Sequence, residues 1–272
     1  MSRHMNDSES SDCVDDAAIV TQRSQSESTL QGILIFLRDN KETSINILCQ
    51  ELLGVIQSSS HEHENIERMA TLVHLGLLEE LFANISVVGE CCDIASVLHL
   101  ISKLTKYEDL RYAMRIRELR ITDIVLDCME QQPCDAEVSK FGCAALRNLL
   151  MDAEERAIFL RRNGLERVLI AMKWCQSTSA VQEHACHLIF VIAKSSRKRR
   201  KMVATQCLDA VCTAAKMHPT HSGVQHRANA ALRCLTKDED PGSQGLLLLA
   251  LCSATIAALS ALAAAVWYGI LL

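Results

Sequence analysis

Residues 138–149, VSKFGCAALRNL, decide the fold because the chain repeats their pattern twice at a fixed interval. Residues 181–192, VQEHACHLIFVI, and residues 224–235, VQHRANAALRCL, align with this first segment without gaps at a spacing of 43 residues. A repeat of this length is typical of architectures in which successive units stack and bury one another's apolar faces. We therefore expect a fold built from stacked copies of one unit.

Each of the three segments has the apolar periodicity of a helix. In the first copy, one broad helix face carries Val138, Phe141, Gly142, Ala145, Leu146 and Leu149. The aligned central position is small in every copy, as Gly142, Ala185 or Ala228, so a neighbouring helix can approach closely there. The pattern predicts one helix in each segment.

A second helix is predicted in every unit. Residues 163–173, NGLERVLIAMK, align with residues 206–216, QCLDAVCTAAK, again 43 residues apart. Weaker copies lie upstream, with second-type helices at residues 75–83 and 122–129 and first-type helices at residues 44–57 and 93–105. The sequence thus predicts an all-α domain of about four to five repeats over residues 29–236.

The stretches AALRNLL, RAIFLRRNGLERVLIAM and VQEHACHLIFVIA resemble armadillo repeats, which contain one short helix and two longer ones. The resemblance covers residues 29–236 and implies a right-handed α-solenoid. Armadillo-like proteins are characteristically scaffolds and adaptors that hold extended peptides or partner helices in a concave groove. The resemblance therefore implies a protein partner, and it is more specific for fold than for activity.

The armadillo resemblance also places the groove. By position, its lining comes from residues 75–87, 119–131, 163–175 and 206–217. The candidate groove residues are Arg167, Ala171, Trp174, Asp209 and Lys216. Nuclear-import members of the family carry ladders of Trp and Asn in the groove, whereas Trp174 has no repeated Asn beside it. Recognition of nuclear-localisation peptides is therefore not expected.

The end of the sequence, GLLLLALCSATIAALSALAAAVWYGILL at residues 245–272, contains no charged residue. About 20 apolar helical residues cross the roughly 30 Å hydrocarbon core of a bilayer. We expect a transmembrane helix at residues 245–268, joined to the repeats by a polar linker at residues 237–244. Basic residues precede this span and none follows it, which predicts a tail anchor with the repeat domain in the cytosol.

Two features of the predicted span leave its destination and packing open. Small residues recur every four positions and are a candidate packing stripe: Ser253, Ala257, Ala261 and Ala265. The absence of basic residues after the span favours the endoplasmic reticulum, whereas its alanine-rich, moderately apolar character favours the mitochondrial outer membrane. The alternative interpretation of the tail is a helix that packs on another protein.

Residues 1–28 differ from the rest of the chain in composition. They are rich in Ser and Asp, lack an apolar run and are predicted to be a disordered acidic arm, either plainly solvated or phosphorylated. Because no signal peptide is seen there, we interpret the 13 cysteines of the chain as free thiols of the cytosol. The formal net charge of −5 predicts no general attraction to nucleic acid.

One basic run, RKRRK, occupies residues 197–201. It is a candidate contact for lipid headgroups, formed by Arg197, Lys198, Arg199, Arg200 and Lys201. The alternatives are a nuclear signal and a solvated loop between two helices. We favour the loop, because the aligned residues of the preceding unit lie at a turn.

The sequence contains no catalytic motif, which predicts neither an enzyme nor a cofactor. The cluster His184, Cys186 and His187 has metal-binding residue types, but Cys186 aligns with Cys143 at a core position. Core or surface roles are therefore expected for it. Two functions stay open: a tail-anchored adaptor, or a soluble armadillo regulator, chaperone-associated or a transport receptor, whose tail packs on another protein.

Overall fold

A computed structural model of the chain describes residues 45–57, 62–76, 94–116 and 118–237, and the separate residues 32, 35, 78 and 79. Within these residues there are eleven helices and no strand, so the predicted all-α class is confirmed. In chain order the helices are α1 (Ile45–Gln57), α2 (Glu62–His74), α3 (Ile94–Leu104), α4 (Glu108–Ile116), α5 (Ile121–Gln131), α6 (Ala136–Leu149), α7 (Ala153–Arg161), α8 (Gly164–Trp174), α9 (Ser179–Ser195), α10 (Arg197–Met217) and α11 (Ser222–Leu235).

The chain divides into two compact units, of which the first comprises Met1–Leu100 and Tyr107–Leu119. In this unit α2 packs against α1 and α4. Leu52, Leu72 and Leu98 are fully buried in it. The Tyr107 hydroxyl donates a hydrogen bond to Glu62 Oε1 at 3.0 Å, which links the start of α2 to the residue preceding α4.

The second unit, Ile101–Lys106 and Arg120–Leu272, contains the strong repeats. Its helices α6, α9 and α11 begin at Ala136, Ser179 and Ser222, always 43 residues apart. The helices α5 and α8 have 11 residues each and begin 43 residues apart, at Ile121 and Gly164. The helices predicted from the aligned segments are therefore present here, and their bounds keep the period of the sequence.

Helix α9 packs against α6 and α11, and α6 also packs against α5. The small residues at the aligned central positions allow this close packing. A Cβ atom built on Gly142 of α6 would lie 2.6 Å from Met129 Sδ of α5. Ala185 and Ala228 are fully buried at the equivalent positions of α9 and α11. The prediction that a helix approaches closely at the small residue is confirmed for α6, where Met129 of α5 lies against Gly142.

Local polar groups fix where the repeat helices start. Asp135 Oδ1 accepts a hydrogen bond from the Val138 backbone N–H at 2.8 Å and caps α6. His221 Nδ1 accepts the equivalent bond from Val224 at 3.2 Å and caps α11. Capping satisfies backbone donors that have no partner inside the helix, so it helps to set the first residue of α6 and of α11, whereas Thr178 before α9 forms no side-chain cap.

A repeated glutamine joins the two helix types within the second unit. Gln182 Nε2 of α9 donates to the backbone carbonyls of Met172 and Cys175 at 3.0 and 2.9 Å, at the end of α8. Gln225 Nε2 of α11 donates to Ala215 and His218 in the same manner, at 2.7 and 3.0 Å. We call each set a glutamine clamp. Sequence reasoning overlooked the clamps, although the aligned Val-Gln pairs were a visible signal.

Several sequence predictions fall on other parts of the chain. The acidic arm at residues 1–28, the linker after Lys237, the span at residues 245–268 and its small-residue stripe lie outside the described residues. Among the described helices, none has the combination of length and hydropathy that crossing a bilayer requires.

Candidate partner-binding surfaces

A cavity of about 390 Å³ lies between α8 and α10, within two of the four predicted groove segments. Buried Met172 and Ala214 lie at its base, and Leu169 and Met217 add further apolar surface. Its exposed polar lining includes Lys173 and Asp209. An apolar base with a few charges near solvent is the usual composition of a site that receives an apolar side chain.

The structure distributes the five predicted groove residues over different environments. Asp209 lines the cavity, and Lys216 is exposed on the same helix. Trp174, at the end of α8, is 64% exposed. Ala171 is only 2% exposed, so its side chain belongs to the core and offers no binding surface. Arg167 is half-buried and forms an ion pair with Glu130 of α5, which gives it a structural role.

Large apolar side chains are exposed at equivalent ends of the two helices beside the cavity. Trp174 ends α8 and Met217 ends α10, one repeat of 43 residues later, with Met217 53% exposed. Single exposed apolar residues are common, and this pair is a candidate contact because it repeats one position and Met217 lines the cavity. Trp174 was predicted as a groove residue from the sequence, whereas Met217 was not, because methionine is not part of the Trp and Asn ladders of the resembling family.

A second surface runs across α6, α9 and α11. We call it the arginine–histidine face and define it by four half-buried residues, Arg147, His184, His187 and Arg227. Arg147 Nη1 lies 3.4 Å from His184 Nδ1, which connects α6 to α9. Arg147 Nε and Nη2 donate to Asn148 Oδ1 at 3.2 and 3.0 Å.

Asn148 fixes the orientation of the Arg147 side chain, and is itself held by hydrogen bonds to residues 102 and 105. Asn148 Nδ2 donates to the Ser102 carbonyl at 3.2 Å and approaches Thr105 Oγ1 at 3.4 Å. Thr105 is itself held, since its hydroxyl donates to the Ile101 carbonyl at 2.8 Å. The guanidinium of Arg147 is therefore positioned by a chain of hydrogen bonds that begins in α3.

The electrostatics of the arginine–histidine face keep its histidines neutral at pH 7. Burial, together with the charge of Arg147, lowers the pKa of His184 to about 4. Burial and the charges of Arg227 and Arg147 lower the pKa of His187 to about 4. Burial and Arg227 also lower the pKa of Arg147, whereas Glu183 acts in the opposite direction. The positive charge of the face thus resides on the arginines.

The cysteine between these histidines has a different environment. Cys186 is fully buried, and burial raises the pKa of its thiol to about 12. Burial has the same effect on Cys143 and Cys207, so these three thiols are poor nucleophiles at neutral pH. Over the described ranges no three His, Cys, Asp or Glu side chains are grouped as metal ligands. The cluster His184, Cys186 and His187 is therefore split between the core and the face.

The basic run at residues 197–201 occupies the first turns of α10, so the expectation of a solvated loop is wrong. Ser196 Oγ accepts the Arg199 backbone N–H at 3.2 Å and caps the helix. In the preceding unit, Asn163 separates α7 from α8 with a left-handed φ of 53°. The aligned Gln206 lies within α10 instead, so the short and second helices are fused into one helix of 21 residues.

Comparisons of the chain with protein-family models, with curated proteins and with solved structures give no match.

Proposed function

We propose that this chain is a helical-repeat adaptor that binds a partner protein and holds it at the cytosolic face of an organelle membrane. The observation that carries the proposal is the cavity between α8 and α10, in the segments where the armadillo resemblance predicts a groove. The proposed occupant is a segment of the partner that inserts an apolar side chain into the cavity. Trp174 and Met217 would extend the contact to either side of that segment.

The repeat geometry supports an α-solenoid of the armadillo type for the second unit. Three helices of one type start 43 residues apart, and the central one contacts both others. The glutamine clamp is repeated with the same donor and equivalent acceptors. Units that reuse one interface in this manner stack into extended arrays with long binding surfaces.

The uncharged tail supports the membrane half of the proposal. Residues 245–268 are long enough to span a bilayer, and Trp267 and Tyr268 stand where aromatic rings favour the headgroup level. The endoplasmic reticulum and the mitochondrial outer membrane are both compatible with the tail. The basic run at residues 197–201 is a candidate contact for anionic headgroups in such an arrangement.

Membrane attachment is tested by carbonate extraction and protease protection of cells that express the full chain or a chain ending at Ser243. We expect only the full chain to stay in the membrane pellet, with its repeat domain digested by external protease. If the full chain is extracted as readily as the shorter one, the tail packs on another protein and the soluble-regulator alternative replaces the anchor.

Partner binding at the cavity is tested with a photo-crosslinking amino acid at Thr213, which lines the cavity and is exposed. The matched control carries the same group at Thr205, an exposed threonine of α10 that is not among the lining residues. We expect one discrete crosslinked partner from Thr213 that Ala210→Trp, which fills the cavity, abolishes. Equal crosslinking from both positions would contradict the proposed site.

A further inference from the structure

Two arginines of the arginine–histidine face carry charges that no carboxylate of the described residues neutralises through an ion pair. The hydrogen bonds of Arg147 go to Asn148, and its other polar neighbour is the neutral His184. Arg227 forms neither a hydrogen bond nor an ion pair with any residue in the described ranges. Since both side chains are half-buried, their charges are less screened than those of surface arginines.

The nearby carboxylate of Glu183 is directed towards another element. A Cβ atom built on Gly223 would clash with Glu183 Oε2, so this carboxylate lies against the first turn of α11. A carboxylate at the start of a helix is stabilised by the helix dipole. Glycine at position 223 leaves the space that this placement needs. Glu183 therefore lies at the helix terminus and forms no ion pair with Arg147 or Arg227, although its charge acts on Arg147 from a greater distance.

The histidines add neutral polar groups between the two charges. His187 Nδ1 is inaccessible to solvent and has no hydrogen-bond partner among the described residues. An atom that solvent does not reach is out of reach of a ligand, so the two guanidinium groups provide the binding contacts. Two guanidinium charges on one half-buried face are complementary to a ligand with negative charge and hydrogen-bonding oxygens.

We propose that the arginine–histidine face binds an acidic segment of a partner protein, with Asp or Glu side chains on Arg147 and Arg227. Planar guanidinium groups bind carboxylates through paired hydrogen bonds, and Asn148 already holds Arg147 in one orientation. The face spans three helices side by side, which suits an extended peptide. The inference rests on the proposed adaptor role for its partner, but it uses neither the cavity nor the membrane tail.

The test is fluorescence anisotropy with the full chain in a non-ionic detergent and a fluorescein-labelled octa-glutamate peptide as the probe. We expect Arg227→Gln to weaken binding roughly tenfold, because a half-buried charged partner of the carboxylate is lost. Arg227→Lys keeps the charge but loses the planar pair of donors, so it should weaken binding less than Arg227→Gln does without restoring the full affinity. Arg161→Gln, which removes an exposed arginine from α7, is the matched control and should change affinity less than about twofold.

Arg147→Gln is a second test, but this change also removes the hydrogen bonds to Asn148. Its circular dichroism and unfolding temperature are therefore measured beside each titration, and the conclusion rests on Arg227→Gln if the fold is lost. Equal affinities for Arg227→Gln and Arg161→Gln would overturn the proposal. Binding of an eight-base oligodeoxythymidylate that is tighter than binding of the peptide, and that depends on Arg227, would also overturn it by indicating a nucleic-acid surface. Displacement of the peptide by millimolar inorganic phosphate would overturn it as well, by indicating a simple anion site. None of these results depends on membrane extraction or crosslinking at Thr213.

Discussion

His184 and His187 couple the stability of the second unit to pH at the scale of single residues. Their folded pKa of about 4 is below the ordinary value of 6.5, because of burial and nearby positive charge. The charged and titratable groups that influence them are Lys140 and Arg147 from α6, Glu183 from α9, and His226 and Arg227 from α11.

We expect the contribution of these two histidines to the free energy of unfolding to be constant above pH 6.5 and to fall between pH 6.5 and pH 4. In that window the unfolded chain binds protons that the folded histidines do not, so acid favours unfolding. His184→Gln and His187→Gln should each reduce the slope, and the double variant should reduce it further. Urea titrations of the chain ending at Ser243 at several pH values measure this. An unchanged slope in the double variant would show that other groups dominate.

Single residues also explain why the arginine–histidine face could not be predicted from the sequence. The repeat alignment places His184 opposite Phe141 and Arg227, and it places Arg147 opposite Phe190. In the structure, Arg147 meets His184 instead, 37 residues along the chain. This offset depends on how α6 and α9 cross, which side-chain packing decides and which a linear alignment does not contain.

At the scale of helices, the glutamine clamp is the element that joins α8 to α9. We expect Gln182→Leu to lower the free energy of unfolding by about 2 kcal/mol, because the Met172 carbonyl loses its side-chain donor and the Cys175 carbonyl keeps only the Thr178 backbone N–H. Gln206→Leu, which changes an exposed glutamine of α10, is the control and should have an effect within about 0.5 kcal/mol. Urea denaturation measures both. A Gln182→Leu effect as small as that of the control would show that solvent satisfies these carbonyls.

The helices themselves were predictable to different degrees. Apolar periodicity located α6, α9 and α11, since each buries one broad face. The fusion in α10 was not predicted, because the break between α7 and α8 depends on the left-handed backbone of Asn163. Gln206 carries no such preference, and the helix continues through it. The backbone conformation of one residue thus decides whether a 43-residue repeat contains two helices or three.

At the scale of the whole molecule, α11 is the last described helix and protects the preceding units. It buries Val224, Ala228 and Leu232, and it contacts both α9 and α10. His226 and Arg233 of α11 are exposed, as is Lys237 just after the helix, which gives this end the polar character that a terminal repeat requires.

We expect a chain ending at Thr220 to aggregate, because removal of α11 exposes apolar surface of α9 and α10. A chain ending at Ser243 keeps α11 and should stay monomeric. Size-exclusion chromatography and thermal unfolding of the two proteins provide the measurement. A monomeric, cooperatively unfolding shorter chain would show that α9 and α10 form a sufficient end on their own.

The constant 43-residue spacing of α6, α9 and α11 also makes the unit an interchangeable module. The interface that α9 forms with α6 recurs between α11 and α9, so the chain already contains one interior unit with both neighbours. Residues 179–221 are that unit, bounded by helix starts at both ends. A tandem copy of them would enter the array in register and lengthen it by one step, so the reach of this protein is adjustable by duplication.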